Sequence, residues 1–371
     1  MKTNNITKSN KTKSIQLCAI GNGIVDIQHR VSEELFKSFD IPKSEMRLVE
    51  PKFQIEIIKK IYENAKNLNP NKSSGGSATN TIDAFAQFGG TAAYLTAVGD
   101  DENGKFYYEE LDNFSIKYKK NIIADSPTGV CIVLITPDGE RTMLTSLAAS
   151  KQFSSEHIDK ELIAEAEWIY IEGYKFSETF GVEAINKSIE IAKEYNTKIA
   201  VSASDLFIID IFGEQLIQAL KQADLLFCNE NEANGIAKKI NSEYKIDTVK
   251  EIDTVKENSN ELIEILHKLC KNVVITKGKN GSKVLFNDNI FDFEAFPTRA
   301  IDTTGAGDMF AGAFLFGILN GSKLINSNKL SDIINFSGKL ASKASSIVVA
   351  QLGARYKGSF QAIIDAILTL K

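Results

Sequence analysis

Close cysteine pairs are missing from this chain. Its four cysteines, Cys18, Cys131, Cys228 and Cys270, are widely spaced and form no CxxC pair. Cys18, Cys131 and Cys228 sit in apolar, strand-like runs and are expected as buried thiols of a protein in the reducing cytoplasm. Histidine is just as scarce. His29, His157 and His267 lack metal-ligand spacing, so no zinc site is expected. There is no excess of positive charge: the net charge is −5, which gives no field for nucleic acid. The run Lys117-Tyr118-Lys119-Lys120 is read as solvated surface. No window of 18 apolar residues occurs, so no membrane span is expected. Residues 1–14 are polar and basic without an apolar stretch, and no arginine precedes Arg30. They are expected as a disordered tail rather than a leader. No GxxxxGK[ST] run exists, which removes P-loop chemistry. Gly21-Asn22-Gly23 follows an apolar run, but Asp26 stands where a dinucleotide fingerprint needs glycine.

What the chain does have is a strand–helix rhythm. Short apolar runs at 15–20, 92–98, 168–172, 199–202, 225–228 and 273–276 read as strands separated by helix-like spans. That alternation predicts an α/β fold with a mostly parallel sheet flanked by helices. Hairpins are predicted at 130–146, around Pro137-Asp138-Gly139, and at 282–294. Residues 24–72 and 121–147 break the rhythm and are expected to form a small β-rich lid. Residues 15–23, 73–120 and 148–371 form the core in this reading, with ligands at the carboxyl ends of its strands. The tandem hexapeptide Ile246–Glu257 is read as a tolerated surface insertion.

The most informative stretch is Asp302-Thr303-Thr304-Gly305-Ala306-Gly307-Asp308, which opens an apolar helix. Glycines at a helix N-terminus let backbone N–H groups converge on an anion. A carboxylate beside that cradle makes sense as a base for a hydroxyl attacking a phosphoryl group. On this segment alone, Asp308 as an N-cap explains the pattern equally well. A second glycine motif, Gly75-Gly76-Ser77-Ala78-Thr79-Asn80, also leads into an apolar-periodic helix. Two such motifs far apart favour the catalytic reading.

These two segments resemble the signatures of the ribokinase-like, or PfkB, carbohydrate and nucleoside kinases. The resemblance covers roughly residues 15–357. It implies a ribokinase-like α/β core with a small lid, ATP as phosphoryl donor, Mg²⁺, and a monomer or homodimer. By resemblance, Asp308 is the catalytic base, and Gly305, Ala306 and Gly307 form the anion hole. Asn229 and Glu232 resemble the Asn-x-x-Glu pair that organises Mg²⁺ through its waters, although a capped helix start explains them as well. Asn229, Thr276, Gly278, Gly281 and Thr304 are expected on ATP. Asp26, with Asn22, Gly75, Gly76 and Asn80, is expected on the acceptor's hydroxyls, which a carboxylate can receive in pairs. Glu172 resembles a further acceptor-side acid, and Arg141 an arginine that approaches phosphates; a structural acid and an exposed hairpin arginine are the plain alternatives. A K⁺ site near Asp302 and Thr304 is implied by resemblance only.

Within the family, Gly21-Asn22-Gly23-Ile24-Val25-Asp26 and Glu140-Arg141-Thr142-Met143 look most like adenosine kinases. Those usually carry proline where Gly23 stands. The expected reaction is transfer of the γ-phosphoryl group of ATP to a nucleoside hydroxymethyl group. A sugar acceptor (ribose, fructose or 2-keto-3-deoxygluconate) uses the same chemistry. Phe36, Phe39, Phe53, Phe176 and Phe207 are candidates to stack a base, or simply core residues.

Overall fold

A computed structural model describes residues 13–64, 70–244 and 259–370. The tandem repeat 246–257 and residues 1–12 lie outside the described residues. Lys13 and Ser14, expected in the tail, are instead anchored. The Lys13 ammonium donates to Ala166 O and Thr197 Oγ1, both at 2.7 Å, and the Ser14 hydroxyl donates to Glu165 at 2.6 Å.

The main sheet has nine strands. Seven run parallel, in the order Asn272–Thr276, Leu225–Asn229, Lys198–Ser202, Ala166–Ile171, Ile15–Ile20, Ala92–Leu95 and Lys117–Tyr118. The antiparallel hairpin Ser282–Phe286 and Asn289–Phe293 extends one edge. Both faces are buried, and the period of two along a strand shows it. Leu17 and Ala19 join the core under helices Ser77–Gln87, Ala306–Leu324, Leu330–Val348 and Phe360–Leu368. Cys18 and Ile20 join the core under Thr179–Glu194, Leu206–Leu220, Glu230–Tyr244 and Ser259–His267. Apolar runs with no polar face are what a doubly covered sheet needs. All four cysteines are buried thiols, and no described helix is long and apolar enough to cross a membrane.

A second sheet, in the order Met46–Leu48, Arg141–Ser146, Gly129–Ile135, Ile24–Arg30 and Asn71–Gly75, stands beside the first. Ile122–Ile123 does not join it, and pairs with Val98–Gly99. Helix Pro51–Asn64 covers one face, packing Ile57 and Ile61 on Ile132, Leu134 and Leu144. Alternation then turns Asp26, Gln28, Cys131, Val133, Arg141 and Met143 to the opposite face, where they line a cavity.

Candidate active site

Two cavities border the start of helix Ala306–Leu324, the first at Ala306 and Gly307 and the second at Thr304. The first, of about 540 Å³, is walled by Thr276, the turn containing Gly278 and Gly281, Ala306, Gly307 and Phe310, with Ser342, Ser345 and Val349 opposite. The second, of about 450 Å³, lies between the second sheet and residues Asn80, Asp83, Thr304 and Arg355. Asp308 is half-buried and lines neither cavity itself; it follows Gly307, which lines the first, and accepts from Asn80, which lines the second.

At the helix start one position requires glycine. Gly305 caps the helix at φ +77°, and a Cβ there would lie 2.6 Å from Ala354 Cβ. Gly307 faces open space, with no atom within 4 Å of a Cβ placed on it. Of the three expected anion donors, the structure turns one inward: Ala306 N–H closes a turn onto Thr303 O at 3.2 Å. The Gly75 Cβ position is filled by the Asp26 carboxylate, 2.3 Å away, so glycine there leaves room for that acid.

The Asp308 carboxylate accepts from Ser77 Oγ at 2.6 Å and from Asn80 Nδ2 at 3.0 Å. Both donors belong to the helix that the second glycine motif opens, which brings segments some 230 residues apart into one site. Burial pushes the Asp308 carboxyl up to about 6, against the pull of those two hydrogen bonds and of Arg355. Burial also raises Asp26 to about 6, opposed by Arg355 and Arg141 and reinforced by Asp308. Two carboxylates and two guanidiniums therefore share one locality.

Asn229 and Glu232 bracket each other at the end of strand Leu225–Asn229. Asn229 N and Nδ2 donate to Glu232 at 2.9 and 2.6 Å, and Glu232 N–H donates back to Asn229 Oδ1 at 2.9 Å. Burial pushes the Glu232 carboxyl up to about 7, with Asp205 adding to the rise. A buried acid with only amide donors, and lone pairs to spare, fits a hard cation held through water. Among the described residues no group of three or more His, Cys, Asp or Glu side chains that could hold a metal ion occurs.

Several expected residues are placed elsewhere. Thr276, Gly278 and Gly281 line the first cavity, but Thr304 lines the second. The cause is local: the Asp302 side chain accepts Thr304 N–H at 3.0 Å and turns the chain there. Asn22 and Glu172 line neither cavity. Asn22 Nδ2 donates to Glu172 at 3.0 Å, and Glu172 accepts Ala78 N–H at 2.8 Å, so the pair braces the glycine motif from behind. Arg141 pairs with Asp302, which also accepts Gly353 N–H at 2.8 Å. A guanidinium and two N–H groups thus contact that carboxylate. None of the five phenylalanines proposed for stacking lines the second cavity; Phe114 and Tyr356 do.

Two residues were not anticipated from sequence. Arg355 enters the second cavity from the C-terminal loop, and Lys175, fully buried, pairs with Glu178 behind Asn22. An isolated arginine in a Gly-Ala-Arg loop and a lysine after a strand carry no local signal of these contacts.

A covered parallel sheet, a second sheet over its strand ends and an acid at a glycine-opened helix define a kinase of the ribokinase-like fold. The chain belongs to the pfkB family carbohydrate kinases, whose model matches residues 53–359. An adenosine kinase of Saccharomyces cerevisiae is 27% identical over 322 residues, 83% of this chain and 90% of that one. The crystal structure of adenosine kinase from Sinorhizobium meliloti superposes with a TM-score of 0.78 at 27% identity, covering 95% of this chain and 99% of that one. A probable sugar kinase protein from Rhizobium etli CFN 42 gives 0.79 at 27% identity, covering 96% of this chain and all (100%) of that one.

Proposed function

We propose that this kinase transfers the γ-phosphoryl group of ATP to the 5′-hydroxymethyl group of a nucleoside, with adenosine as acceptor and AMP as product. The observation that carries the reading is the Asp308 carboxylate, held by Ser77 and by Asn80 of the second cavity's lining, next in the chain to Gly307 of the first. ATP occupies the first cavity, along Thr276, Gly278 and Gly281. The acceptor occupies the second, whose volume suits a nucleoside. Its ribose hydroxyls donate to Asp26 and its base lies against Cys131, Val133, Met143 and Phe114.

In this scheme Asp308 accepts the hydroxyl proton as the oxygen attacks phosphorus in line. The N–H groups of Gly305 and Gly307 meet the charge that develops on the phosphoryl oxygens. The second sheet acts as the lid that keeps water from the γ-phosphate. Asn229 and Glu232 would hold Mg²⁺ through water; when bound, the ion neutralises phosphate charge. The adenosine kinases of yeast and Sinorhizobium support the nucleoside acceptor.

The test is ADP release with ATP and Mg²⁺, comparing adenosine, inosine, guanosine, ribose, fructose and 2-keto-3-deoxygluconate. A kcat/KM for adenosine well above that for every free sugar is expected. A higher value for a sugar would keep the chemistry and overturn the acceptor.

A pH dependence follows from the same geometry. Asp308 acts only when ionised, and its carboxyl sits at about 6. Turnover is therefore present above that pH and falls as pH drops through about 6, with Asp26 protonating over the same range. Saturating kcat measured from pH 5 to 8 checks this. A flat profile down to pH 5 would exclude Asp308 as the titrating base.

A further inference from the structure

The loop joining helices Leu330–Val348 and Phe360–Leu368 carries an arginine that the scheme above does not use. The loop is tied to both cavities. Ile301 and Asp302 N–H groups donate to Val349 O at 2.7 and 3.2 Å, and Val349 walls the first cavity. Gly353 N–H binds Asp302, and Gln351 Nε2 donates to Arg355 O at 2.5 Å. Arg355 then reaches into the second cavity with its side chain 12% exposed. Its Nε–H donates to Asn80 Oδ1 at 3.2 Å. Asp83 lies 3.7 Å and Glu110 3.8 Å from the guanidinium, which sits over the Phe114 ring.

We infer that Arg355 is a positioning residue for the base: by holding the oxygen of the Asn80 amide, it fixes which end of that amide faces Asp308. This rests on the reading of Asp308 as the base. A guanidinium can only donate, so the amide oxygen must turn to it. The amide NH₂ is then left for Asp308 Oδ2, where it sits at 3.0 Å. A donor at that place favours the ionised carboxylate, the form that takes up a proton. A carbonyl oxygen there would favour the neutral acid. Without Arg355 the amide is free to turn over. The guanidinium's charge acts in the same direction on Asp308 and on Asp26. The other titratable groups that reach Asp308 are Asp26 on the second sheet and Tyr170, Glu172 and Tyr174 around one strand end. Among these groups Arg355 is the cation.

The experiment is the kcat–pH profile of wild type, Arg355→Met and Arg355→Lys, using the acceptor that the panel above identifies. Arg355→Met is expected to move the acidic limb, which starts from about 6, up by roughly one pH unit or more; a one-unit move cuts kcat about twofold at pH 7 and approaches tenfold only well below the limb. Raising the pH should restore most of that loss, and KM for ATP should change little. Arg355→Lys keeps the charge but not the fork, and its limb should fall between the two. A loss of the same factor at every pH would show a structural role and overturn the inference. Should Arg355→Met fail to fold by circular dichroism, the lysine variant decides, and a limb coincident with wild type overturns it. A wild-type protein that phosphorylates no alcohol fails in a different, recognisable way and removes the base and its positioning residue together.

Discussion

An Asp308→Asn variant is expected to fold as the parent does and to lose about two to four powers of ten in kcat. The size of the loss follows from what the carboxylate does and from what remains without it. An amide cannot accept the hydroxyl proton, so the general-base contribution disappears. Glycine N–H groups at the helix start still meet the phosphoryl charge, so some turnover survives. Stability should change little, because the substitution is isosteric and replaces a carboxylate whose burial already disfavours its charge. Both contacts can be kept: the new amide oxygen accepts from Asn80 Nδ2, and its NH₂ donates to the Ser77 hydroxyl, which can accept as well as donate. Thermal unfolding and steady-state kinetics on the same preparation separate the two effects. A folded variant retaining turnover within tenfold of wild type would remove Asp308 from the base role.

What sequence made legible was local. The covered parallel sheet shows itself in short apolar runs, and both glycine motifs announce helix starts because φ and close approach are decided within a few residues. Asp302 to Asp308 and Gly75 to Asn80 could be read separately; only the fold shows that Ser77 and Asn80 are what hold Asp308. Arg355 was invisible because its partner Asn80 is 275 residues away. The chain has five arginines, and two of them, Arg141 and Arg355, border the second cavity, which no local pattern predicts. Thr304 turned to the other cavity because a side chain two residues earlier captured its N–H. Helix Pro51–Asn64 was obscured because it buries only a narrow stripe, Gln54, Ile57 and Ile61, against a small second core and is otherwise charged. Asn22 and Glu172 were expected on the acceptor by resemblance. In the structure Asn22 Nδ2 donates to Glu172, and Glu172 accepts the Ala78 N–H, two positions before Asn80.

That bracing depends on one buried lysine, and Lys175→Met is expected to cost the protein about 3–5 kcal/mol of stability. Lys175 is 0% exposed and its partner Glu178 is 5% exposed. The ammonium donates to Glu178 Oε2 at 2.5 Å, to Ser150 O at 3.0 Å and to Asn22 Oδ1 at 3.2 Å, and it lies over the Phe153 ring. Methionine fills much of the same volume, so packing loss is the smaller part of the effect. The larger part is the Glu178 carboxylate, whose Oε1 has no partner even in the intact protein. With the ammonium gone it must either take up a proton or remain charged where burial already disfavours it. Ser150 O loses one of two donors, keeping Phe153 N–H at 3.2 Å, and Asn22 keeps only the Ser150 hydroxyl on its amide oxygen. The double variant Lys175→Met, Glu178→Met removes both charges and should recover most of the loss, because replacing a whole buried ion pair with apolar groups is often close to neutral. Denaturant unfolding of wild type, both single variants and the double variant measures the coupling directly. A Lys175→Met loss below about 1 kcal/mol, the range of an exposed pair, would contradict the buried charge argument. Turnover of the single variant should fall as well, because Asn22, Glu172 and the Ala78 N–H form the chain of contacts that seats the helix carrying Ser77 and Asn80. That fall should be smaller than the Asp308→Asn loss, since the base itself is still present.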